Sequence, residues 1–198
     1  MNVAITIPAY NEKDNVVKLA IELSQILNNA QIVIVDDSME DSISSKINNI
    51  PNVKHIFRGK KLGRGSAVLE GFTSLIKNSK ADVFVEMDAD YSHNPNELKE
   101  NLILFNEKKL DLLISSRYLK GSKIINWPLS RRIFSFLANK LARFLLKVPI
   151  SDYTNGYRIY SKTAVTHILN NCGKIGDGFI ILSEILVELY FNNYEIDE

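Results

Sequence analysis

Short β-prone apolar runs alternate with helical stripes from the N-terminus to about residue 115, and that alternation leaves few folds open. Val3 to Ile7 ends at Pro8, and Val16, Leu19, Ala20, Leu23, Ile26 and Leu27 then recur at helical spacing, with Asn11 or Asp14 as candidate caps. Gln31 to Val35 is a second run, followed by a polar turn and a weaker helix near Ser42 to Asn49. Val53 to Phe57 precedes the stripe Ala67, Val68, Gly71, Phe72, Leu75 and Ile76, and Val83 to Met87 precedes a helix near Asn96 to Asn106. Leu112 to Ser115 is a fifth strand. Strands that read as near-continuous apolar runs between helices predict an α/β fold with a mainly parallel central sheet covered on both faces.

Such a sheet binds ligands outside the carboxyl ends of its strands, and right-handed crossovers put those ends on one edge. Three polar clusters fall there: Ala9-Tyr10-Asn11-Glu12, Asp36-Asp37 and Asp88-Ala89-Asp90. Asp88 and Asp90, one residue apart at a strand end, can reach a single hard cation such as Mg²⁺ or Mn²⁺. The same triplet can also be a turn held by aspartate side chains before Ser92-His93-Asn94-Pro95. Asp36-Asp37 can hydrogen-bond a nucleoside base or ribose, or place favourable negative charge at a helix start. Lys61-Leu62-Gly63-Arg64-Gly65-Ser66 opens a helix with glycines that permit close backbone approach to phosphate, yet it matches neither the P-loop nor the dinucleotide fingerprint. His93 is near enough to the acidic cluster to reach a metal or substrate, or simply to pack in its loop.

The remainder of the chain reads differently. Leu129 to Val148 is a helix-forming run in which Ile133, Phe134, Leu137, Leu141, Phe144, Leu145 and Val148 can share a broad apolar face. Every charged residue from Arg117 to Ser151 is basic: Arg117, Lys120, Lys123, Arg131, Arg132, Lys140, Arg143 and Lys147. The rest of the chain then carries 16 basic against 23 acidic residues, so a net charge of +1 conceals a basic band on an acidic body. That composition fits an interfacial helix on an anionic membrane surface, or a core helix whose basic chains snorkel to water. Nucleic acid is not the expected partner, because no aromatic stacking platform interleaves with the cations. A short strand at Tyr157 to Tyr160, a helix capped by Ser161 and a helix from Ile180 to Phe191 complete the pattern, before a strand-like start at Tyr194 to Ile196. Cys172 stands alone, which excludes an internal disulfide framework. No window approaches about 18 uninterrupted apolar residues, and the start MNVAITIPAYNE reads as a strand rather than a signal peptide. The expectation is a single domain over residues 1–198, cytoplasmic and peripheral at the cytoplasmic face of a membrane.

Taken in order, Pro8-Ala9-Tyr10-Asn11-Glu12, Asp36-Asp37-Ser38, Lys61-Leu62-Gly63, Asp88-Ala89-Asp90-Tyr91-Ser92-His93, Ser116-Arg117-Tyr118 and Asp152-Tyr153-Thr154-Asn155-Gly156-Tyr157-Arg158 resemble glycosyltransferase family 2, and within it the transferases that act on dolichyl and other polyprenyl phosphates. The resemblance runs over nearly the whole chain. It implies a GT-A fold and inverting transfer of a hexose from a nucleotide-diphosphate sugar, GDP-mannose first among them, to a polyprenyl or dolichyl phosphate. It implies that residues 1–116 form a nucleotide-sugar-binding half, with Pro8, Tyr10, Glu12, Val35 and Asp37 on the nucleotide. Asp88, Ala89 and Asp90 would serve metal and diphosphate, with Ser92 also near the metal and Arg117 on the phosphates. Residues 117–198 would form the acceptor half, with Trp127-Pro128, Arg131 and Ser135 toward the acceptor phosphate. Two departures stand out. Arg64 occupies a position where the family commonly has Leu, and the chain stops at Glu198, before a segment in which the family carries an arginine and a lysine over the donor phosphates.

Overall fold

The computed structural model describes residues 1–122, 128–176 and 178–198. Trp127 and Lys123 therefore lie outside the described residues. Strands β1 (Val3–Ala9), β2 (Gln31–Asp36), β3 (Val53–Phe57), β4 (Val83–Glu86), β5 (Leu112–Ile114), β6 (Arg158–Ser161) and β7 (Ile196–Asp197) form one sheet in the order β3-β2-β1-β4-β6-β5-β7. β1 pairs in parallel with β2 and β4, and β2 with β3, as the alternating pattern requires. β6 runs antiparallel to both β4 and β5. Because β6 comes from the second part of the chain and sits between two strands of the first, both parts build the same sheet.

The helices are α1 (Lys13–Ile26), α2 (Ser44–Ile47), α3 (Arg64–Asn78), α4 (Leu98–Glu107), α5 (Leu129–Leu146), α6 (Lys162–Asn171) and α7 (Ile180–Phe191). The period of two along each strand sends side chains to opposite faces. Ile5, Ile7, Ile32, Ile34, Val83, Val85 and Ile159 meet Val16, Leu19 and Leu23 of α1 and Leu98 and Leu102 of α4. Ala4, Val33, Val35, Phe84, Leu112 and Tyr160 meet α3, α6 and α7 on the other face. There Phe72 makes edge-on contacts with Phe84 and Tyr160, at centroid separations of 6.2 and 5.4 Å, each worth roughly 0.5–1.5 kcal/mol beyond area burial. Ser161 caps α6, accepting a hydrogen bond from the Ala164 amide at 3.1 Å. Cys172 packs in this core, and burial, with Glu184 and Glu188 nearby, pushes its thiol up to about 12.

At the first helix the expected caps are not used. Glu12 holds the N-cap position without a side-chain bond, while Asn11 adopts a left-handed conformation (φ 59°) and donates its amide to the Ser38 hydroxyl at 2.9 Å. That bond ties the loop after β1 to the loop after β2. α5 also ends earlier than its apolar pattern suggests. Lys147 turns left-handed (φ 57°), and Val148 and Ile150 enter the core instead of extending the helix. Along α5 itself Asn139 is the buried residue. Phe134 and Phe144 are 76% and 77% exposed, and Ile133, Leu137, Leu141 and Leu145 are each more than half exposed. Among the described residues, then, these apolar side chains of α5 face outward rather than into the core. Among the described residues no helix is long and apolar enough to cross a membrane.

Candidate nucleotide-sugar site

Adjacent parallel strands β2, β1 and β4 deliver their carboxyl ends to one edge, and a hollow of about 220 Å³ opens there. Pro8, Tyr10 and Glu12 line it from β1, Asp37 from β2, and Asp88, Ala89 and Asp90 from β4. Lys61, Gly63 and Arg64 close it from the start of α3, and Phe179 from the start of α7. Most of the residues that the sequence places on a nucleotide and its diphosphate thus share one cavity, with two exceptions: the Val35 side chain is fully buried beneath α3, and Arg117 is not on the cavity wall.

Asp37 is an anchor as well as a wall. One carboxylate oxygen accepts the Leu62 and Gly63 amides at 2.9 and 2.8 Å, and the other accepts from Arg58. Arg58 also donates to the Ser66 hydroxyl (2.8 Å) and the Gly63 carbonyl (3.2 Å). Gly63 has φ 98°, a region closed to most side chains, and this lets two successive amides face Asp37. The glycine-bearing loop is thereby fixed against β2, with Lys61 4.4 Å above the Tyr10 ring. Behind it, Asp36 accepts from the Ser38 amide at 2.9 Å and lies 3.5 Å from His55. Burial opposes ionisation of Asp36, but the His55 and Ser38 contacts outweigh it and lower its pKa.

Asp88 and Asp90 differ sharply. Asp90 is exposed and accepts the Ser92 amide at 2.9 Å, which leaves Ser92 beside the acidic turn but off the cavity wall. Asp88 is largely enclosed. One of its oxygens accepts two N–H groups of Arg64, at 2.8 and 2.6 Å, and the other lies 3.6 Å from His93 Nε2. His93 packs against Tyr157 with ring centroids 5.5 Å apart. Arg64 Nη1 reaches Glu86 at 2.6 Å, and the buried Glu86 in turn accepts the Tyr160 hydroxyl at 2.8 Å. Phe179 covers the guanidinium at 5.2 Å. Burial works against both charges, yet the pairing prevails: Arg64 is held above the ordinary arginine value and Asp88 well below the usual carboxylate range. Arg64 and Phe179 were not among the expected site residues. The glycines around Arg64 flagged the loop, but nothing local in the sequence reveals its partners.

Arg117 stands beside this group. It donates to Asp152 from Nε (2.7 Å) and Nη2 (2.6 Å), and to the Thr154 hydroxyl at 2.8 Å. Burial disfavours both charges, but the pair keeps Arg117 raised and Asp152 lowered, and Asp88 adds to the field on Arg117. The next residue, Tyr118, donates its hydroxyl to Ser135 of α5 at 2.6 Å. Asn139 of α5 accepts the Tyr153 amide at 2.7 Å. α5 is therefore joined to the loop that holds Arg117. Arg131, one turn before Ser135, is exposed on the same helix. The 152–156 loop is fixed from within by Arg158, fully buried, which donates to the carbonyls of Asn155 (2.8 Å), Leu182 (2.7 Å) and Tyr153 (2.9 Å).

Residues 4–169 match the family described as Glycosyl transferase family 2. The chain is 37% identical over 195 residues to dolichol-phosphate mannosyltransferase of Pyrococcus furiosus, an alignment covering 95% of this chain and 53% of that protein. It is 36% identical to polyprenol monophosphomannose synthase of Mycolicibacterium smegmatis, over 83% of this chain and 63% of the relative. The chain spans between about half and two thirds of the length of these curated relatives. Among solved structures, glucosyl-3-phosphoglycerate synthase of Mycobacterium tuberculosis, crystallised with Mn²⁺, UDP-glucose and phosphoglyceric acid, superposes with a TM-score of 0.70 at 16% identity, covering 98% of this chain and 68% of that one. The architecture is that of the GT-A glycosyltransferases, and the chain belongs to glycosyl transferase family 2.

Proposed function

We propose that this chain transfers a hexose, mannose foremost, from a nucleotide-diphosphate sugar to a polyprenyl phosphate at a membrane surface. The observation that carries the reading is the shared hollow in which Asp37 and Asp90 meet at one sheet edge. The mannosyl transfer named for the two curated relatives supports the choice of sugar and acceptor. GDP is the proposed carrier of the sugar. In this reading the nucleotide lies along Pro8, Tyr10, Glu12 and the Asp37-anchored loop, and the diphosphate faces Asp88, Ala89 and Asp90.

The donor set fits a hard divalent cation. Asp90 presents an exposed carboxylate, Asp88 a second one, and the cavity beside them has room for phosphate oxygens. Among the described residues no three His, Cys, Asp or Glu side chains form a protein-only cage, but Mg²⁺ or Mn²⁺ needs just one or two carboxylates where a substrate's phosphates complete the shell. Such an ion supplies positive charge opposite a departing diphosphate.

The acceptor phosphate is anionic at neutral pH, so no strong protein base is required. Its oxygen bonds to the anomeric carbon from the face opposite the diphosphate, the bond from that carbon to the diphosphate oxygen breaks, and the configuration inverts. The protein's part is positional and electrostatic. Arg117 stands within the field of Asp88 and is linked through Tyr118 to Ser135, so it lies between the donor hollow and α5. The exposed apolar side chains of α5, with Arg131, Arg132, Lys140 and Arg143, would seat the chain on anionic lipid. The test is a donor panel with polyprenyl phosphate in anionic vesicles and Mn²⁺, with glycolipid product followed by mass. Wild type should form product, and Asp90→Ala should form little while keeping its fold. Full transfer by Asp90→Ala would remove the carboxylate argument.

A further inference from the structure

Arg64 lies where the diphosphate reading puts positive charge from another source. Its guanidinium makes two hydrogen bonds to one oxygen of Asp88 and a third contact to Glu86. The Arg64 side chain is 11% exposed, and Glu86 is fully buried and fixed by Tyr160. Phe179 covers it on one side, while a Cβ at Gly156 would run into both its Nη2 and the Asp88 carboxylate on another. A group so enclosed does not swing aside without breaking several charge-assisted bonds.

We propose that Arg64 and a divalent cation compete for Asp88, so that the chain carries a fixed guanidinium at its diphosphate site and binds its cation mainly through Asp90 and the substrate phosphates. The inference rests on reading Asp88 and Asp90 as the cation's carboxylates. A cation approaching Asp88 meets an oxygen already bonded to Arg64 and a full positive charge a few ångströms away. Poor shielding in a largely enclosed site strengthens that repulsion. Cation binding should then be weak without nucleotide and strong with it, because the diphosphate brings oxygens that Arg64 does not occupy. Arg64 becomes a residue that sets the order of loading, with the donor diphosphate and cation entering together.

The probe is Mn²⁺ alone, titrated into the full chain, with free Mn²⁺ read by electron paramagnetic resonance. Arg64→Leu should tighten Mn²⁺ binding at least about tenfold, equivalent to about 1.4 kcal/mol, and adding Asp88→Asn should cancel the gain. Arg64→Lys keeps the charge and should stay within about threefold of wild type. Because Arg64→Leu strands the buried Glu86, the comparison is repeated as Arg64→Leu with Glu86→Gln against Glu86→Gln alone. Unchanged or weaker Mn²⁺ binding on removal of Arg64, or a tenfold gain in Arg64→Lys, overturns the competition. A separate titration with GDP present isolates the underlying reading. Binding that depends on Asp90 but ignores Arg64 defeats the competition alone, whereas no Mn²⁺ binding with or without GDP defeats both.

Discussion

Gly156→Ala adds one methyl group where the structure has no room for it. The new Cβ would meet Arg64 Nη2 and the Asp88 carboxylate at less than contact distance. The backbone at Gly156 is not in the left-handed region, so strain from the dihedrals is not the issue. Ordinarily the tip of an arginine yields cheaply. Here Asp88, Glu86 and Phe179 hold it, and the 2.6 and 2.8 Å bonds to Asp88 must lengthen together. Hydrogen bonds to charged groups contribute about 1.5–3 kcal/mol each, and overpacking a well-filled site costs about 1–3 kcal/mol. With partial relaxation, Gly156→Ala should lose about 2–3 kcal/mol. At about 2–4 °C per kcal/mol for a chain of this size, Tm should fall by about 4–12 °C. Urea and thermal unfolding followed by circular dichroism measure it. The same change made in an Asp88→Asn background should cost at least about 1 kcal/mol less, since the guanidinium is no longer pinned there. A single-variant loss below about 0.5 kcal/mol, or an equal loss in both backgrounds, would refute the account of a clamped Arg64.

Two other expectations rest on buried charges of this edge. Arg158→Met keeps an apolar stem but abandons three buried carbonyls, and it should lose about 4 kcal/mol or more in urea unfolding, a large share of a typical 5–15 kcal/mol total; a loss under about 1 kcal/mol would mean the carbonyls find other donors. Asp88 and Asp152 both have pKa values below the ordinary aspartate value of about 3.9. Their stabilisation is therefore complete above that value and fades as pH falls through the lower folded values. The stability gap between wild type and Asp88→Asn, or Asp152→Asn, should not narrow from pH 8 to about 5 and should close only below about pH 4. A gap that closes between pH 7 and 5 would contradict the sign of the shifts.

What could be read in advance follows from range along the chain. The parallel strands and the polar clusters at their tips were legible because a period of two, a period of 3.6 and a turn are all local signals. Asp37, Asp88 and Asp90 fall together because crossover handedness leaves their strands no other edge. The direction of β6 was not legible, since the β-prone Tyr157, Ile159 and Tyr160 read the same whichever way the strand runs; its pairing with β4 and β5 decides it. The left-handed turn at Lys147 had no glycine to announce it. Arg64 could be seen as an oddity but not as a hub, because Asp88 lies 24 residues away and Phe179 belongs to a different part of the chain.

The 152–156 loop explains why the two sides of the site are built together. Its first residue, Asp152, holds Arg117 on the side that leads through Tyr118 to α5. Its last, Gly156, touches the Arg64–Asp88 pair on the donor side. Between them Asn155 donates to the Ser115 carbonyl, which ties the loop to the end of β5. Arg158 grips the same loop from the core and extends to α7, the helix whose start carries Phe179 over Arg64. An antiparallel strand in a mainly parallel sheet is what makes this possible: by running the other way, β6 brings the loop before it, rather than the loop after it, to the edge where β1, β2 and β4 end. A parallel β6 would have sent Asp152 and Gly156 to the opposite edge, leaving Arg117 without its carboxylate and the Arg64–Asp88 pair uncovered on one side.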